Sequence, residues 1–310
     1  MKHLRGLKAV LTGASGGIGV HLAEALAREG MELLLVAYPG VGLQEVSAAV
    51  ARLGTRSGTI EADLREPGEC ARTVRCALDQ FGRVDVLVNN AGVEYSQPFH
   101  ELSAQQVRDV LAVNLEAPLE LTRLVLPGML ERRQGHIISL SSLAGKSGPA
   151  FQEPYAATKA ALTAFTFSLR SSYRGTGVSA SVVCPGFVEA GIYARLKARS
   201  GCAAPWLLAG CRPEQVAQAV VRAIRRDVPE ILVNRYPIGL VLALAAYSPT
   251  FGAWLSRRLG VDDFFRNVVE ADRHRGGQPP DSIQTPKPAR DQAAGDRAPG
   301  YSGQRTLHRD

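Results

Sequence analysis

The chain has 310 residues, 45% hydrophobic and 21% charged, with a formal net charge of +7 at pH 7. That length suits one doubly wound domain with extensions, and no solenoid-type repeat divides it. The modest basic excess comes with no nucleic-acid motif, which excludes nucleic acid as a partner and leaves a diffuse surface charge suited to anionic cofactors or lipid surfaces.

Leu7 to Leu11 is a short apolar run that predicts a first strand. Thr12-Gly13-Ala14-Ser15-Gly16-Gly17-Ile18-Gly19 follows at once, and Gly19 to Arg28 then carries Leu22, Ala23 and Leu26 at helical spacing. Strand, glycine turn and helix form the context a phosphate-binding loop requires. Glycine lets backbone approach phosphate closely, and a helix N-terminus offers N–H donors and the positive end of a dipole. Taken alone, the segment reads equally well as a glycine-rich turn. Leu33 to Val36 predicts a second, buried strand, completing a βαβ unit.

Ser57 to Ala62 predicts a third strand, closed by Asp63-Leu64; an isolated Asp there would serve as a cap or turn residue. Val84 to Val88 reads as a buried strand running into Asn89-Asn90-Ala91-Gly92, and Asn114 lies in an apolar helix. His136 to Leu140 is a further strand, followed by Ser141-Ser142-Leu143-Ala144-Gly145. Tyr155 and Lys159 lie four apart and share one helix face. Ser179 to Val183 leads into Cys184-Pro185-Gly186-Phe187-Val188, Pro213 to Arg226 has helical spacing, and Ile231-Leu232-Val233 closes the series as the last strand. This alternation predicts an α/β fold, a doubly wound, Rossmann-like parallel sheet, in a single catalytic domain over residues 1–235. Each polar residue has an ordinary reading by itself: Tyr155 and Lys159 on a solvated face, Ser142 as a helix cap, Asn114 as a partner for nearby backbone.

Taken together and in this order, the Thr-Gly-x-x-x-Gly-x-Gly loop, Asp63-Leu64, Asn-Asn-Ala-Gly, Asn114, Ser142 and Tyr155-x-x-x-Lys159 resemble the short-chain dehydrogenase/reductase family over residues 5 to 235. The resemblance implies an NAD(P)-dependent enzyme that moves hydride reversibly between the cofactor and a secondary alcohol or ketone. It implies cofactor contacts from Gly13, Ser15, Gly16, Gly17, Ile18 and Gly19 at the pyrophosphate. Tyr38 would lie near the adenosine ribose, and Asp63 and Leu64 at the adenine. Asn90, Ala91 and Gly92 would border the cofactor at the strand ends, and Pro185, Gly186 and Val188 would lie over the nicotinamide. Tyr155 would carry the proton, Ser142 would hold the substrate oxygen, and Lys159 would bind the nicotinamide ribose. Asn114 would hold a water that links Lys159 to solvent. A free phenol titrates near ~10 and is a poor base at neutral pH; a neighbouring ammonium is expected to lower that value and ready Tyr155 for proton transfer. Where the family usually continues to a Thr that touches the carboxamide, this chain has Ala190. A non-catalytic nucleotide-binding regulator on the same fold is the rival reading; loss of Ser142, Tyr155 or Lys159 would have favoured it, and all three are present.

The end of the second strand bears on cofactor choice. An acid there accepts hydrogen bonds from the ribose hydroxyls and repels a 2′-phosphate. Ala37-Tyr38-Pro39-Gly40 has no acid, and also lacks the basic residue many NADP users carry, so the reading is NAD(P) with a slight lean to NADP.

Phe187 to Arg212 is where the family places its substrate lid, and here it carries Ile192, Tyr193, Leu196, Trp206, Leu207 and Leu208. This favours a hydrophobic alcohol or ketone substrate over ordinary packing of a helical hairpin. Residues 236–271 form a predicted hydrophobic, helical appendage. Tyr236 to Ser256 has no charged residue and is flanked by Arg235 and by Arg257-Arg258. A bilayer span needs roughly twenty apolar residues, but Pro237, Gly239, Pro249 and Gly252 argue against one straight helix. Internal or dimer packing ranks first for this segment, peripheral membrane contact second and a true span last; a membrane-surface protein using the fold as a scaffold is the corresponding alternative function. Residues 272–310 are rich in Pro, Gly, Gln, Arg and Asp and are expected to be disordered. Five cysteines without motif spacing point to a reducing compartment. The first predicted strand begins close to Met1, leaving no room for a signal peptide, so the expected location is cytoplasmic. No His or Cys set has metal-ligand spacing, and the family resemblance implies a homo-oligomer.

Overall fold

Near-continuous apolar runs make the sheet. In the computed structural model, β1 (Lys8–Thr12), β2 (Glu32–Ala37), β3 (Ser57–Glu61), β4 (Val86–Asn89), β5 (Gly135–Leu140), β6 (Val178–Pro185) and β7 (Glu230–Val233) form one parallel sheet in the order β3-β2-β1-β4-β5-β6-β7. The structure describes residues 1, 3–205, 208 and 210–274. The inner strands β1, β2 and β4 are apolar on both sides because helices cover both faces of a parallel sheet, whereas the edge strand β3, SGTIE, buries only Ile60.

On one face, α1 (Gly17–Arg28) and α9 (Pro213–Arg226) pack side by side, Leu22, Leu26, Val216, Val220 and Ile224 meeting Leu33, Leu35, Val88 and Ile138; α2 (Leu43–Arg52) completes the layer. On the other, α3 (Glu69–Phe81) and α5 (Ala117–Glu131) bring Val74, Ala77, Leu121 and Val125 onto Leu34, Leu87 and Ile137. Between them in the chain come α4 (Ala104–Leu111) and a π-helical turn, Ala112–Glu116, that joins it to α5. The short α6 (Ala144–Ser147) and the long α7 (Glu153–Ser172) follow β5, and α8 (Gly191–Ser200) follows β6. The strand order reverses between β1 and β4, and in open α/β sheets the crevice at that switch point, beyond the carboxyl ends of the strands, is the ligand-binding position.

The predicted strands are present within two residues of their expected ends, and α1 begins at Gly17, two residues earlier than the apolar spacing shows. The apolar run after residue 235 is two helices, α10 (Gly239–Tyr247) and α11 (Pro249–Arg258), rather than one. Ser248 breaks it: its hydroxyl accepts from the Phe251 N–H at 3.4 Å, and Pro249 occupies the first turn of α11, where its missing N–H costs nothing. Among the described residues no helix is long and apolar enough to cross a membrane. The last helix, α12 (Val261–His274), continues three residues into the segment expected to be disordered from 272; residues 275–310 lie outside the described residues.

Candidate functional site

Two adjoining cavities, about 310 and 560 Å³, occupy the switch-point crevice. The glycine loop lies on the boundary between them: Gly13, Gly16 and Gly17 line both, Ile18 and Gly19 the first and Ser15 the second. The loop's shape depends on contacts that a side chain would break. A Cβ at Gly19 would lie 1.9 Å from the Gly13 carbonyl oxygen, and one at Gly17 would lie 2.3 Å from the Gly191 nitrogen at the start of α8. Thr12 and Asn90 tie the loop to β4. The Thr12 hydroxyl accepts from the N–H groups of Asn90 and Ala91, both at 3.0 Å, and the Asn90 amide donates to the carbonyls of Thr12 and Gly13 at 2.9 and 3.0 Å. The Asn90 side chain is thus committed to loop geometry while the residue still borders the first cavity.

A dinucleotide suits this crevice. α1 has no capping side chain and no acid in its first turn, which leaves its leading N–H groups and dipole for a diphosphate. The second cavity is walled by Val36, Ala62, Leu64 and Val113, an apolar slot of the kind an adenine requires, with Tyr38 and Asp63 at the same end. Asp63 does more than the sequence suggests. Its carboxylate takes the Arg65 guanidinium at 2.6 Å and the Arg65 N–H at 3.1 Å. Burial alone would raise its titration, but the Arg65 hydrogen bonds and charge hold it below the usual carboxylate range. Arg65 also reaches Asp109 at 3.3 Å and lies 5.5 Å from the Tyr38 ring centroid. A guanidinium therefore stands at the strand end where the sequence shows no basic residue. Its only sequence signal is its place directly after Asp63-Leu64.

The first cavity gathers Ser142, Tyr155, Lys159, Pro185, Gly186 and Val188. β5 delivers Ser142 and α7 delivers Tyr155 and Lys159, one turn apart. The Lys159 Nζ donates to the Leu140 carbonyl at 2.9 Å and lies 5.5 Å from the Tyr155 ring centroid. Burial pulls the Lys159 ammonium down to about 8. Burial also pushes the Tyr155 phenol up to about 12; Ser142 hydrogen bonding opposes this, while Glu94 and Cys184 add to it. An adjacent ammonium would lower it. In the folded chain desolvation outweighs that lowering, and the opposing interaction comes from Ser142 rather than from Lys159. Ser142 also takes the ordinary role weighed for it, accepting from the Ala144 N–H at 3.1 Å at the start of α6.

Asn114 does not line either cavity. It sits fully buried in the π-helical turn, accepting from the Val93 N–H at 2.8 Å and donating to the Val93 carbonyl at 2.9 Å. A Cβ placed on Gly92 would lie 3.4 Å from its Oδ1 and 3.6 Å from the Lys159 Nζ, so Asn114 and Lys159 close on the same point from behind. π-turns interrupt α-helices mostly at functional sites.

Sequence reasoning missed a buried polar group beside Tyr155. Gln152, on the cavity wall, donates from its amide to the Glu94 carboxylate and to the Ser96 hydroxyl, both at 2.7 Å, and Ser96 in turn bonds Glu94. These residues lie 58 positions apart at most, and no motif links them. Cys184 is fully buried, and desolvation pushes its thiol up to about 12, which fits a packing role.

The remaining wall is apolar. α8 contributes Ile192, Tyr193 and Leu196, joined by Leu208; Trp206 and Leu207, also expected in the lid, lie outside the described residues. Arg195, on the same helix, borders both cavities. α12 clamps this lid through Phe264 and Phe265, which surround Phe187 with ring centroids 5.2 and 6.0 Å away. Val241, Leu242 and Ala245 of α10 and Gly252, Leu255 and Ser256 of α11 close the far side.

The short chain dehydrogenase family profile matches residues 8–200. Ketoacyl reductase HetN of Nostoc sp. is 40% identical over 87% of this chain and 95% of its own length. The 1-deoxy-11-beta-hydroxypentalenate dehydrogenase of Streptomyces exfoliatus is 36% identical over 73% of this chain and 82% of its own. Among solved structures, a metagenomic short-chain oxidoreductase in complex with NADP superposes with a TM-score of 0.65 at 31% identity, covering 76% of this chain and all of that one. A variant actinorhodin polyketide ketoreductase with NADPH gives 0.69 at 29% identity, covering 76% of this chain and 98% of the other.

Proposed function

The chain belongs to the short-chain dehydrogenase/reductase family of NAD(P)-dependent oxidoreductases, and from that premise we propose that it interconverts a hydrophobic ketone and its secondary alcohol, with NADP(H) preferred. The observation that carries the reading is one cavity in which Ser142, Tyr155 and Lys159 face walls built from aliphatic and aromatic side chains. When bound, the reduced cofactor supplies a hydride to the carbonyl carbon. Ser142 holds the carbonyl oxygen, and the Tyr155 Oη–H bond breaks as its proton passes to that oxygen. With its titration pushed up by burial, the Tyr155 phenol is protonated at neutral pH and can serve as the acid when the ketone is reduced. Lys159, with its value near 8, is still an ammonium at pH 7 and binds the ribose hydroxyls beside the tyrosine. Asn114 orders the backbone behind the pair, at the point where a relay water would sit.

The glycine loop and the first turn of α1 would hold the pyrophosphate, Leu64 and the backbone of Asp63 would border the adenine, and Val188 would face the carboxamide. Ala190 cannot offer the hydroxyl found in relatives, so that contact falls to backbone. The NADP preference rests on the lack of an acid at the end of β2 and on Arg65 beside Tyr38, which would have to share its guanidinium between Asp63, Asp109 and a 2′-phosphate. Two of the similar solved structures hold NADP or NADPH.

The test is a series of ketones of increasing alkyl length, assayed by absorbance of the reduced nicotinamide with NADPH and NADH. We expect kcat/KM to rise with chain length and to favour NADPH. Arg65→Ala should weaken NADPH binding about tenfold or more, the worth of a charge-assisted hydrogen bond, and leave NADH binding nearly unchanged. Absence of turnover across the series with both cofactors would overturn the assignment.

A further inference from the structure

α10 has the sequence GLVLALAAY, apolar around its whole circumference, yet none of its residues is buried. A helix of that kind belongs in a protein core or in lipid. Its two sides face different surroundings. Val241 and Ala245 turn toward the substrate cavity, while Leu240, Leu244 and Tyr247, at i, i+4 and i+7, are 76%, 50% and 92% exposed. α11 repeats the arrangement. Gly252, Leu255 and Ser256 line the cavity, and Phe251 and Trp254 stack on the outside with ring centroids 5.7 Å apart. Arg235, just before the segment, and Arg257 and Arg258, at the end of α11, are exposed, and among the described residues no ion pair holds any of them; the sequence from Ile231 to Val261 contains no acid, and the next carboxylates are Asp262, which accepts from the Ser256 hydroxyl at 2.8 Å, and Asp263.

We propose that the α10–α11 hairpin docks the protein on an anionic lipid bilayer and that the hydrophobic substrate reaches the cavity from that bilayer; the second half rests on the hydrophobic-substrate reading above, the first does not. The hairpin has the parts an interfacial element needs: aliphatic and aromatic side chains to enter the acyl boundary, and arginines at its margin for anionic headgroups. Helices of 9 and 10 residues are too short to span and so lie in the surface plane. Charge decides against a second copy as the occupant. A two-fold interface sets a patch against itself, which would enclose the arginine margins of both copies with only Asp262, already bonded to Ser256, and Asp263 beside it to offset them. The same helices form the cavity wall, so lipid surface and substrate chamber are about one helix diameter apart, ~10 Å.

The experiment is co-sedimentation of the full chain with vesicles of phosphatidylcholine alone or mixed with phosphatidylglycerol. We expect binding to the mixed vesicles and at least about tenfold weaker binding to phosphatidylcholine. The pairs Leu240→Glu with Leu244→Glu, and Arg257→Glu with Arg258→Glu, should each lower binding by a similar factor while a short, water-soluble ketone is turned over at the unaltered rate. Trp254 emission, read in a Trp206→Phe background, gives a check that needs no charged substitution: a blue shift on vesicle addition supports docking, and an unchanged spectrum overturns it. Absence of sedimentation with anionic vesicles, or variants that bind like the unaltered chain, also overturns it. So does a dimer seen by sedimentation velocity that the leucine substitutions dissolve when no vesicle binding occurs. Vesicle binding without turnover of any ketone would leave docking standing and remove the enzymatic reading instead.

Discussion

Tyr155 and Lys159 are a turn apart on α7, and enclosure moves their titrations in opposite directions, the phenol up to about 12 and the ammonium down to about 8. Both shifts reflect the cost of charge in a low-dielectric chamber; in the proposed mechanism Tyr155 carries the transferable proton and Lys159 binds. Tyr155→Phe should therefore cost a hundred- to ten-thousand-fold in turnover, roughly the range for a general acid, with NADPH affinity by fluorescence titration nearly unaltered. Wild-type-like turnover would remove Tyr155 from the mechanism. The ribose contact of Lys159 needs the ammonium, so NADPH affinity of the free enzyme should weaken as pH rises through about 8. Lys159→Met should bind more weakly at pH 7 and lose that pH dependence. An unchanged slope in the variant would mean that another group titrates.

β5 shows the cost of placing a polar residue inside a parallel sheet. His136 is buried, bonds the Ser181 hydroxyl at 2.9 Å through Nε2, and is lowered by desolvation from 6.5 to about 4. Its folded value lies below its unfolded one. Between pH 6.5 and 4 the unfolded chain takes up a proton that the folded chain refuses, so stability present above pH 6.5 is lost as pH falls toward 4. The shift corresponds to ~3 kcal/mol. His136→Gln should flatten that acid limb in denaturant titrations across this range, even if the variant is less stable at pH 7. An equally steep acid limb in the variant would place the sensitivity elsewhere, with the Asp227 carboxylate, 4.0 Å away, the next group to test.

Across the molecule, the helices after the sheet complete the site. α12 closes over α8 through Phe264, which is 3% exposed and meets Phe187 and Tyr193 edge-on or tilted at 5.2 and 6.0 Å. The lid of the cavity is thus pinned from outside the nucleotide-binding core. Phe264→Ala should lower stability by ~3–5 kcal/mol, as for other buried Phe truncations. It should also raise KM for a long-chain ketone more than it weakens NADPH binding, because the lid borders the substrate end. Equal losses for both ligands would argue that α12 supports the whole crevice rather than the lid.

The α/β fold and the cofactor loop were legible in the residues because both depend on contiguous stretches. A buried parallel strand is predominantly apolar on both faces, and a loop that approaches phosphate carries its glycines in one run. Tyr155 and Lys159 were legible for the same reason, since four residues on a helix is a local geometry. What the sequence could not disclose arises where distant segments meet. Arg65 comes to the Tyr38 ring across the β2 and β3 ends, Gln152 meets Glu94 from another element, and α12 reaches back over α8. The titration of Tyr155 belongs to the same class. Desolvation is set by everything packed around the hydroxyl, so only the folded molecule determines that the phenol rises, where the neighbouring ammonium considered by itself predicts a fall.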